Sequence, residues 1–367
     1  MIYKEFQDLK LSALGMGCMR LPIINGQEDV IDEPAVAEVV AYAFSQGINY
    51  FDTAWPYHRG NSETVMGNVL SQYPRGSYYL ATKFPGFAKE NFENPAAIFE
   101  KQLEKCKTDY FDFYLLHNVT ERNVENFMNE DYGVLDYMLK QKQAGRIRHL
   151  GFSTHGSLAT MRRFLEKYGE HLEFCQIQLN WLDWNLQNAK AKVELLKEFN
   201  LPVWVMEPVR GGRLVNLPEG DLERLNALRP GVTTPEWAFR FLQSVDGITM
   251  ILSGMSNMQQ LQENIATFCE EKPLNDHEWK VLMVLSQDMI ARNAVPCTGC
   301  SYCVDHCPMF IPIPDVIKLY NALAEGSTEK PGIPGPADCI ACGSCKPLCP
   351  QGIDIPKVMA DYARKLN

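Results

Sequence analysis

Two stretches near the end of this 367-residue chain repeat one arrangement of thiols: CTGCSYCVDHCP from Cys297 and, forty-two residues on, CIACGSCKPLCP from Cys339. Both read C-x2-C-x2-C-x3-C-P, the run in which three thiolates wrap one iron–sulfur cube and the fourth reaches the neighbouring cluster. Cys297, Cys300, Cys303 and Cys349 are therefore assigned to one [4Fe-4S] cluster, and Cys339, Cys342, Cys345 and Cys307 to the other. Structural zinc is the plainer alternative. It takes four ligands per ion, usually as two distant C-x2-C pairs, and leaves the closing Cys-Pro unexplained. The repeat runs on past the thiols: CPMFIPIPDV and CPQGIDIPKV share C-P-x-x-I-x-I-P-x-V, which predicts two duplicated halves packed about a pseudo-twofold axis.

A second set of chemically able residues lies upstream. Asp52, Lys83 and His117 each lie at or near the end of an apolar run (INYFDTA, SYYLATK and DYFDFYLLH), and Tyr57 follows Asp52 by five residues. Singly, each has an ordinary role: Asp52 as a loop cap, Lys83 as a solvated strand end, His117 as a hydrogen-bonded core histidine. Only a fold that brings these ends to one place makes them a catalytic set.

The pattern around them supplies such a fold. From Ala35 to Phe268, short apolar runs alternate with longer amphipathic stretches. Eight runs read as strands: LGMGCM, INYFDTA, SYYLATK, DYFDFYLLH, IRHLGFS, FCQIQLN, PVWVMEP and GITMILSG. All but the first follow a segment of helical spacing such as EPAVAEVVAYAFSQ or NPAAIFEKQLEKC. Alternating strands and helices imply a parallel sheet, and eight units over roughly 250 residues predict an α/β fold, a closed (β/α)8 TIM barrel with its strand C-terminal ends gathered at one mouth. The opening MIYKEFQDLKLSA is expected as a hairpin plugging the barrel bottom. GMGCMR from Gly15 is not read as a dinucleotide fingerprint, because Arg20 stands where the third glycine belongs. Residues 272–292 read as a last helix, and beyond Pro296 the composition turns to Cys, Pro and Gly. The expected division is a barrel, 1–290, and a small, mainly helical iron–sulfur domain, 291–367.

Charge and composition exclude several function classes. The net charge is −10, yet residues 291–367 carry seven basic and seven acidic side chains, so the acidic excess lies in the barrel. A generic nucleic-acid partner needs a basic face and is not expected. No basic-then-apolar leader opens the chain and no run of ~18 uncharged apolar residues occurs, so no membrane partner and a cytoplasmic location are expected. In such a reducing compartment, clustered cysteines bind metal or do redox work rather than form disulfides.

Two resemblances sharpen these expectations. Over roughly residues 3 to 270 the chain resembles the aldo-keto reductases, through FDTAWPYHRGNSETVMG and the ordered set Asp52, Tyr57, Lys83 and His117. Over 291–367 it resembles the helical two-cluster ferredoxins. The first resemblance implies reduction of a carbonyl, or oxidation of an alcohol, with NAD(P)H. Hydride goes to carbon, and Tyr57 gives a proton to the developing alkoxide. A free tyrosine with pKa near ~10 is a reluctant donor. Lys83 is expected to stabilise the phenolate and lower that pKa, Asp52 to position Lys83, and His117 to orient the carbonyl.

The same resemblance implies cofactor contacts from Ser153 in LGFSTHG, Gln176 in CQIQLN, and Glu207, Val209 and Gly211 in VMEPVRGGRL. Gly254, Ser256, Asn257, Gln260, Glu263 and Asn264 in LSGMSNMQQLQENI would hold the dinucleotide. Thr154 replaces an asparagine of the family pattern, Met206 an aromatic that stacks on nicotinamide, and Asn257 a cation that holds a 2′-phosphate. Arg210 and Arg213 are alternative phosphate cations. Trp55, Phe87, Trp181 and Trp184 follow strand ends and could line an aromatic pocket. A small carbonyl or alcohol substrate and a ferredoxin or other one-electron partner are the expected partners. The competing reading is an electron-transfer or nucleotide-sensing interaction protein whose barrel does not turn over.

Overall fold

The computed structural model describes residues 1–292, 294–324 and 327–366. Ten strands form among the described residues: β1 (Tyr3–Phe6), β2 (Leu9–Ser12), β3 (Leu14–Gly17), β4 (Tyr50–Asp52), β5 (Tyr79–Pro85), β6 (Phe111–His117), β7 (Ile147–Thr154), β8 (Cys175–Gln178), β9 (Val203–Met206) and β10 (Ile248–Ser253). Strands β3 to β10 close into a barrel by parallel pairing, with β10 returning to β3. The eight apolar runs are these eight strands. Every residue of β6 is buried, as expected where helices cover a parallel sheet on one face and side chains fill it on the other. Several of the covering helices start at side-chain caps the sequence displays, such as Asp32 accepting from Ala35 N at 3.1 Å and Asn94 from Ala97 N at 3.1 Å, each followed by a proline in the first turn.

The hairpin β1–β2 closes the end of the barrel where the strands begin. Phe6 and Leu11 pack with Tyr50, Phe113, Phe174, Trp204 and Met250, and the Phe6 and Trp204 rings meet edge-on at 5.0 Å. That leaves the opposite end, where the strands finish, to gather polar side chains. Gly15 is explained by packing: a Cβ there would come within 2.7 Å of the Leu252 side chain.

Contacts group the chain into two compact units, Met1–Pro208 with Gly231–Trp279, and Val209–Pro230 with Lys280–Asn367. This grouping differs from a single cut at residue 290, and ion pairs within the second unit show why. Both carboxylate oxygens of Asp221 accept from Arg292, at 2.7 and 2.9 Å, and Arg224 donates to Asp288 at 2.8 Å. The excursion after β9, including the helix Glu219–Leu228, is thereby held to the C-terminal unit.

Within that unit the sequence repeat is visible as structure. Ile311, Ile313 and Val316 from one half and Ile353 and Ile355 from the other are buried in one core with Cys303, Cys345 and Cys349. Each half runs into a helix, Ile313–Ala324 and Ile355–Leu366, and the two helices meet through Tyr320, whose hydroxyl donates to Asp361 at 2.6 Å.

Candidate active site and iron–sulfur sites

Three strands deliver the polar set to the barrel mouth. Asp52 ends β4, Lys83 lies two residues from the end of β5 and His117 ends β6, while the short helical turn Tyr57–Gly60 brings Tyr57 back over them. Lys83 Nζ donates to Asp52 Oδ1 at 2.6 Å, to Thr53 O at 2.8 Å and to the Tyr57 hydroxyl at 3.3 Å. Because Lys83 is the donor in the last contact, the phenolic hydrogen stays available for another acceptor. The Tyr57 and His117 rings lie 6.1 Å apart at 85°, and Phe87 covers His117 edge-on at 4.9 Å. All four members are nearly sealed: Lys83 is 1% exposed and Tyr57, the most accessible, 8%.

Burial dominates the electrostatics. It pushes the Asp52 carboxyl up, and the Lys83 ammonium pulls it back. It pushes the Tyr57 phenol well above its ordinary value, helped by the negative charges of Asp52 and Glu207. This direction is opposite to the one expected from the sequence. The reason is that Lys83 is already neutralised by Asp52, so a phenolate would see a compensated pair and little water. Burial, then Lys83 and His155, hold the His117 imidazole well below its usual range, so it is neutral, and its Nδ1 has no protein partner.

Sequence reasoning missed His58, the residue beside Tyr57. Its Nδ1 donates to Glu28 O at 2.7 Å and its Nε2 accepts from Leu21 N at 3.0 Å, which fixes the neutral imidazole as a latch between two backbone groups. His58 and Arg59 both take left-handed backbone conformations, strain that the latch offsets. The only signal in the sequence was adjacency to Tyr57.

The expected cofactor residues fall into three places. Ser153 and Gln176 are register partners on β7 and β8, both 2% exposed. Ser153 Oγ accepts from Asn118 N at 2.9 Å, whereas Gln176 Oε1 is buried without a partner. A buried orphan acceptor beside the mouth fits the amide hydrogens of a nicotinamide carboxamide. Thr154 is occupied elsewhere, donating to Val119 O at 2.5 Å and accepting from Gly156 N at 2.8 Å. Glu207 has a left-handed backbone, and its carbonyl accepts from Asn180 at 2.9 Å.

After β10, Gly254 packs against Arg20, and Asn257 caps the helix Met258–Thr267 by accepting from Gln260 N at 2.9 Å. Gln260 in turn accepts from Ser256 N at 2.8 Å, Glu263 from Gln259 at 2.8 Å, and Asn264 donates to Ser253 Oγ at 3.1 Å.

Val209 and Gly211 lie in the C-terminal unit. Gly211 is left-handed at φ 62°, and a Cβ there would lie 1.8 Å from Thr298 O, so this glycine serves a close backbone approach. Arg210 is fully buried in the same unit. Of the four aromatic candidates, Phe87 packs against His117. Trp55 stands under Lys105, and Trp184 packs edge-on to Phe241 and Trp279, at 5.7 Å from each. Trp181 is core, 1% exposed.

The cysteines ring two cavities in the C-terminal unit. One is lined by Cys297, Cys300, Cys303 and Cys349, the other by Cys307, Cys339, Cys342 and Cys345. These are the two crossed sets that the spacing assigns. Ile313 and Ile355 line both cavities; Thr298, Ser301 and Gln351 add polar groups to the first and His306 to the second. All eight are cysteines outside any disulfide, a donor set and an enclosure that fit a cuboidal cluster. Among the described residues no helix is long and apolar enough to cross a membrane.

Comparison with known proteins bears on both units. The model of the aldo/keto reductase family matches residues 13–285, and that of the 4Fe-4S dicluster domain matches residues 296–353. The probable aldo-keto reductase 1 of Glycine max is 29% identical over 216 residues, covering 56% of this chain and 58% of that protein, so the match spans less than two thirds of its length. L-galactose dehydrogenase of Arabidopsis thaliana is 30% identical, covering 72% of this chain and 87% of that one. The NADH-specific methylglyoxal reductase of Escherichia coli (strain K12) is 26% identical, covering 71% and 90%. The solved structure of aldo-keto reductase AKR11C1 from Bacillus halodurans, in its holo form, superposes with a TM-score of 0.61 at 25% identity, covering 78% of this chain and 96% of that one.

Proposed function

Given that the chain belongs to the aldo/keto reductase family and carries a 4Fe-4S dicluster domain, we propose that it is an NAD(P)H-dependent oxidoreductase interconverting a carbonyl and an alcohol, with Tyr57 as general acid and two [4Fe-4S] clusters in its C-terminal unit. The observation that carries this reading is the hydrogen-bonded chain Asp52–Lys83–Tyr57 with neutral His117 beside it. Ser153 and Gln176 would hold NAD(P)H, which would supply the hydride when bound. The elevated pKa of Tyr57 keeps its proton in place at neutral pH. As negative charge develops on the substrate oxygen, the phenol donates to it, and Lys83 stabilises the phenolate left behind. His117 Nδ1, buried and unpartnered, is available to fix the substrate oxygen. The half-exposed Phe87 forms a wall against which an apolar substituent can lie.

The clusters supply one-electron storage, and a ferredoxin or similar one-electron protein is the partner proposed for them. A hydride carrier and single-electron centres need a converter if they are to exchange, and the sequence shows no flavin motif. An anaerobic titration with NADH and with NADPH, following cluster absorbance, decides whether the two chemistries are joined in this chain. Stopped-flow oxidation of NAD(P)H against a panel of aldehydes and ketones tests the enzyme reading itself. Tyr57→Phe is expected to slow that reaction by about 10²–10⁴ with cofactor binding retained. Cofactor binding without turnover of any carbonyl would favour the second reading, a nucleotide-sensing barrel. Thr154, whose hydroxyl is committed to Val119 and Gly156 rather than to a ligand, is the feature that favours that alternative.

A further inference from the structure

His155 is an imidazole at the barrel mouth that the proposed reaction leaves unused. Ser153 and Gln176 pair in register across β7 and β8. Two residues further along each segment, where alternation returns to the same face, stand His155, just past the end of β7, and Gln178, the last residue of β8. A hydrogen bond joins these two side chains, and because His155 Nδ1 is buried without a partner, that bond is made by Nε2. Gln178 Nε2 donates to Asp183 Oδ2 at 2.6 Å, an oxygen that also accepts from Asn180 at 2.7 Å. With its nitrogen turned to that carboxylate, the Gln178 amide presents its oxygen to the ring. The effect on His155 agrees, since the bond favours the protonated imidazole, as an acceptor does. Burial, then the Lys192 charge, still lower the pKa to about 4, so the ring is neutral at physiological pH. Its one proton lies on Nε2, and Nδ1 is a bare acceptor.

A second acceptor belongs to the same end of the barrel. Asn118 Oδ1 is likewise buried without a partner, and the Asn118 backbone N–H holds the residue against β7 by donating to Ser153 Oγ at 2.9 Å. His117, the residue before it, is near enough to His155 for that ring to depress its pKa. Buried acceptors are rarely left unpaired, because each forfeits its bonds to water. These two call for a ligand that brings hydrogens. Both are neutral, and the Asp52 charge is already countered by Lys83, so a hydroxyl suits them better than an ammonium. We propose that the substrate is a hydroxy carbonyl compound, its hydroxyl donating to His155 Nδ1 while its carbonyl oxygen meets Tyr57 and His117, and that His155 and Asn118 set this specificity. This rests on the reading of the mouth as a carbonyl-reducing site.

Two measurements on the full chain test this. In stopped-flow oxidation of NAD(P)H, 2-hydroxypropanal is expected to exceed propanal in kcat/KM by about tenfold or more, because a site built to bond a hydroxyl discriminates against the analogue lacking it. That ratio should collapse toward one in His155→Phe, and His155→Asn, whose amide oxygen stands in for Nδ1, should keep most of it. The second readout does not depend on turnover. With histidine labelled by nitrogen-15 in the ring, the His155 Nδ1 resonance, assigned by its absence from either variant, should be that of an unprotonated nitrogen. It should move on adding propane-1,2-diol and stay in place with propan-1-ol. If the resonance moves as expected but no aldehyde is reduced, the hydroxyl subsite stands and the reductase reading falls. A protonated Nδ1, a resonance indifferent to the diol, or equal handling of the two aldehydes by a chain that reduces both overturns the proposal.

Discussion

Replacing Lys83 by methionine removes the ammonium that pairs with Asp52 at 2.6 Å and leaves a carboxylate that is 2% exposed without its counter-charge. Lys83 provides both of the interactions that hold the Asp52 carboxyl down against burial, a Coulombic attraction and a hydrogen bond. Breaking a buried pair from one side typically costs about 3–5 kcal/mol, because the remaining charge must be buried alone or take up a proton. Removing both charges costs far less, since no ion is then left to desolvate. Lys83→Met should therefore destabilise the barrel unit by roughly 3–5 kcal/mol, and adding Asp52→Asn should restore half or more of that loss. All six tryptophans lie within Met1–Pro208 and Gly231–Trp279, so intrinsic fluorescence during urea unfolding reports this unit by itself. Simple additivity of the two substitutions, with the double variant less stable than either single one, would refute the reasoning, because neighbours in one ion pair must couple.

Cys307→Ser should impair the cluster of Cys339, Cys342 and Cys345 and spare the one fed by the rest of its own motif; Mössbauer or electron paramagnetic resonance spectra showing the reverse would contradict the crossed arrangement. Asn257→Arg should shift preference toward NADPH by roughly ten- to a hundredfold, the worth of a hydrogen bond to a charged group, and cost about 1 kcal/mol through the lost helix cap; dissociation constants from tryptophan quenching and an unfolding curve check the two parts. Burial lowers the pKa of His58 and His117, and that of His155 to about 4, so between those values and the ordinary 6.5 the unfolded chain binds more protons. Stability should thus be full above about pH 6.5 and fall as the pH drops below it. Glu173, where burial pushes the carboxyl up but bonds from His149 and Lys142 hold it near 2, contributes fully above its ordinary 4.5 and loses that contribution as the pH falls from there to about 2. An unchanged urea midpoint down to pH ~5 would remove the histidines from this account.

What the sequence disclosed follows from how local each signal is. The barrel strands were legible because each is a short, fully apolar run bounded by polar turns, as in β6, and because helix caps such as Asp32 and Asn94 mark where the intervening segments begin. The crossed cysteine sets were legible because ligand spacing is itself geometry. The polar tetrad was legible once strand ends were known to converge. Three features were not. Val209–Pro230 belongs to the C-terminal unit through Asp221 and Arg224, whose partners lie more than sixty residues away and carry no local signature. The upward displacement of the Tyr57 pKa depends on burial and on Lys83 being already neutralised, neither of which is written in residue types. Trp181 and Trp184 follow a strand end just as Phe87 does, yet pack into the core or against Phe241 and Trp279, because side-chain direction past a strand end is set by neighbours from distant segments.

The membership of Val209–Pro230 in the C-terminal unit bears on how far this protein can be treated as two cassettes. A chain cut at residue 290 would take from Arg210 and Asp221, two buried charges, the bonds they make to Pro296, Gln351 and Arg292, and would leave Gly211 shaped for a backbone no longer present. The excised tail would in turn lose the surface that seats Thr298 and the counter-ion of Arg292. Swapping the iron–sulfur segment of one such protein onto the barrel of another therefore means grafting two pieces at once, the tail and the insert after the seventh barrel strand, since the interface that makes the tail self-sufficient is encoded inside the other half of the gene.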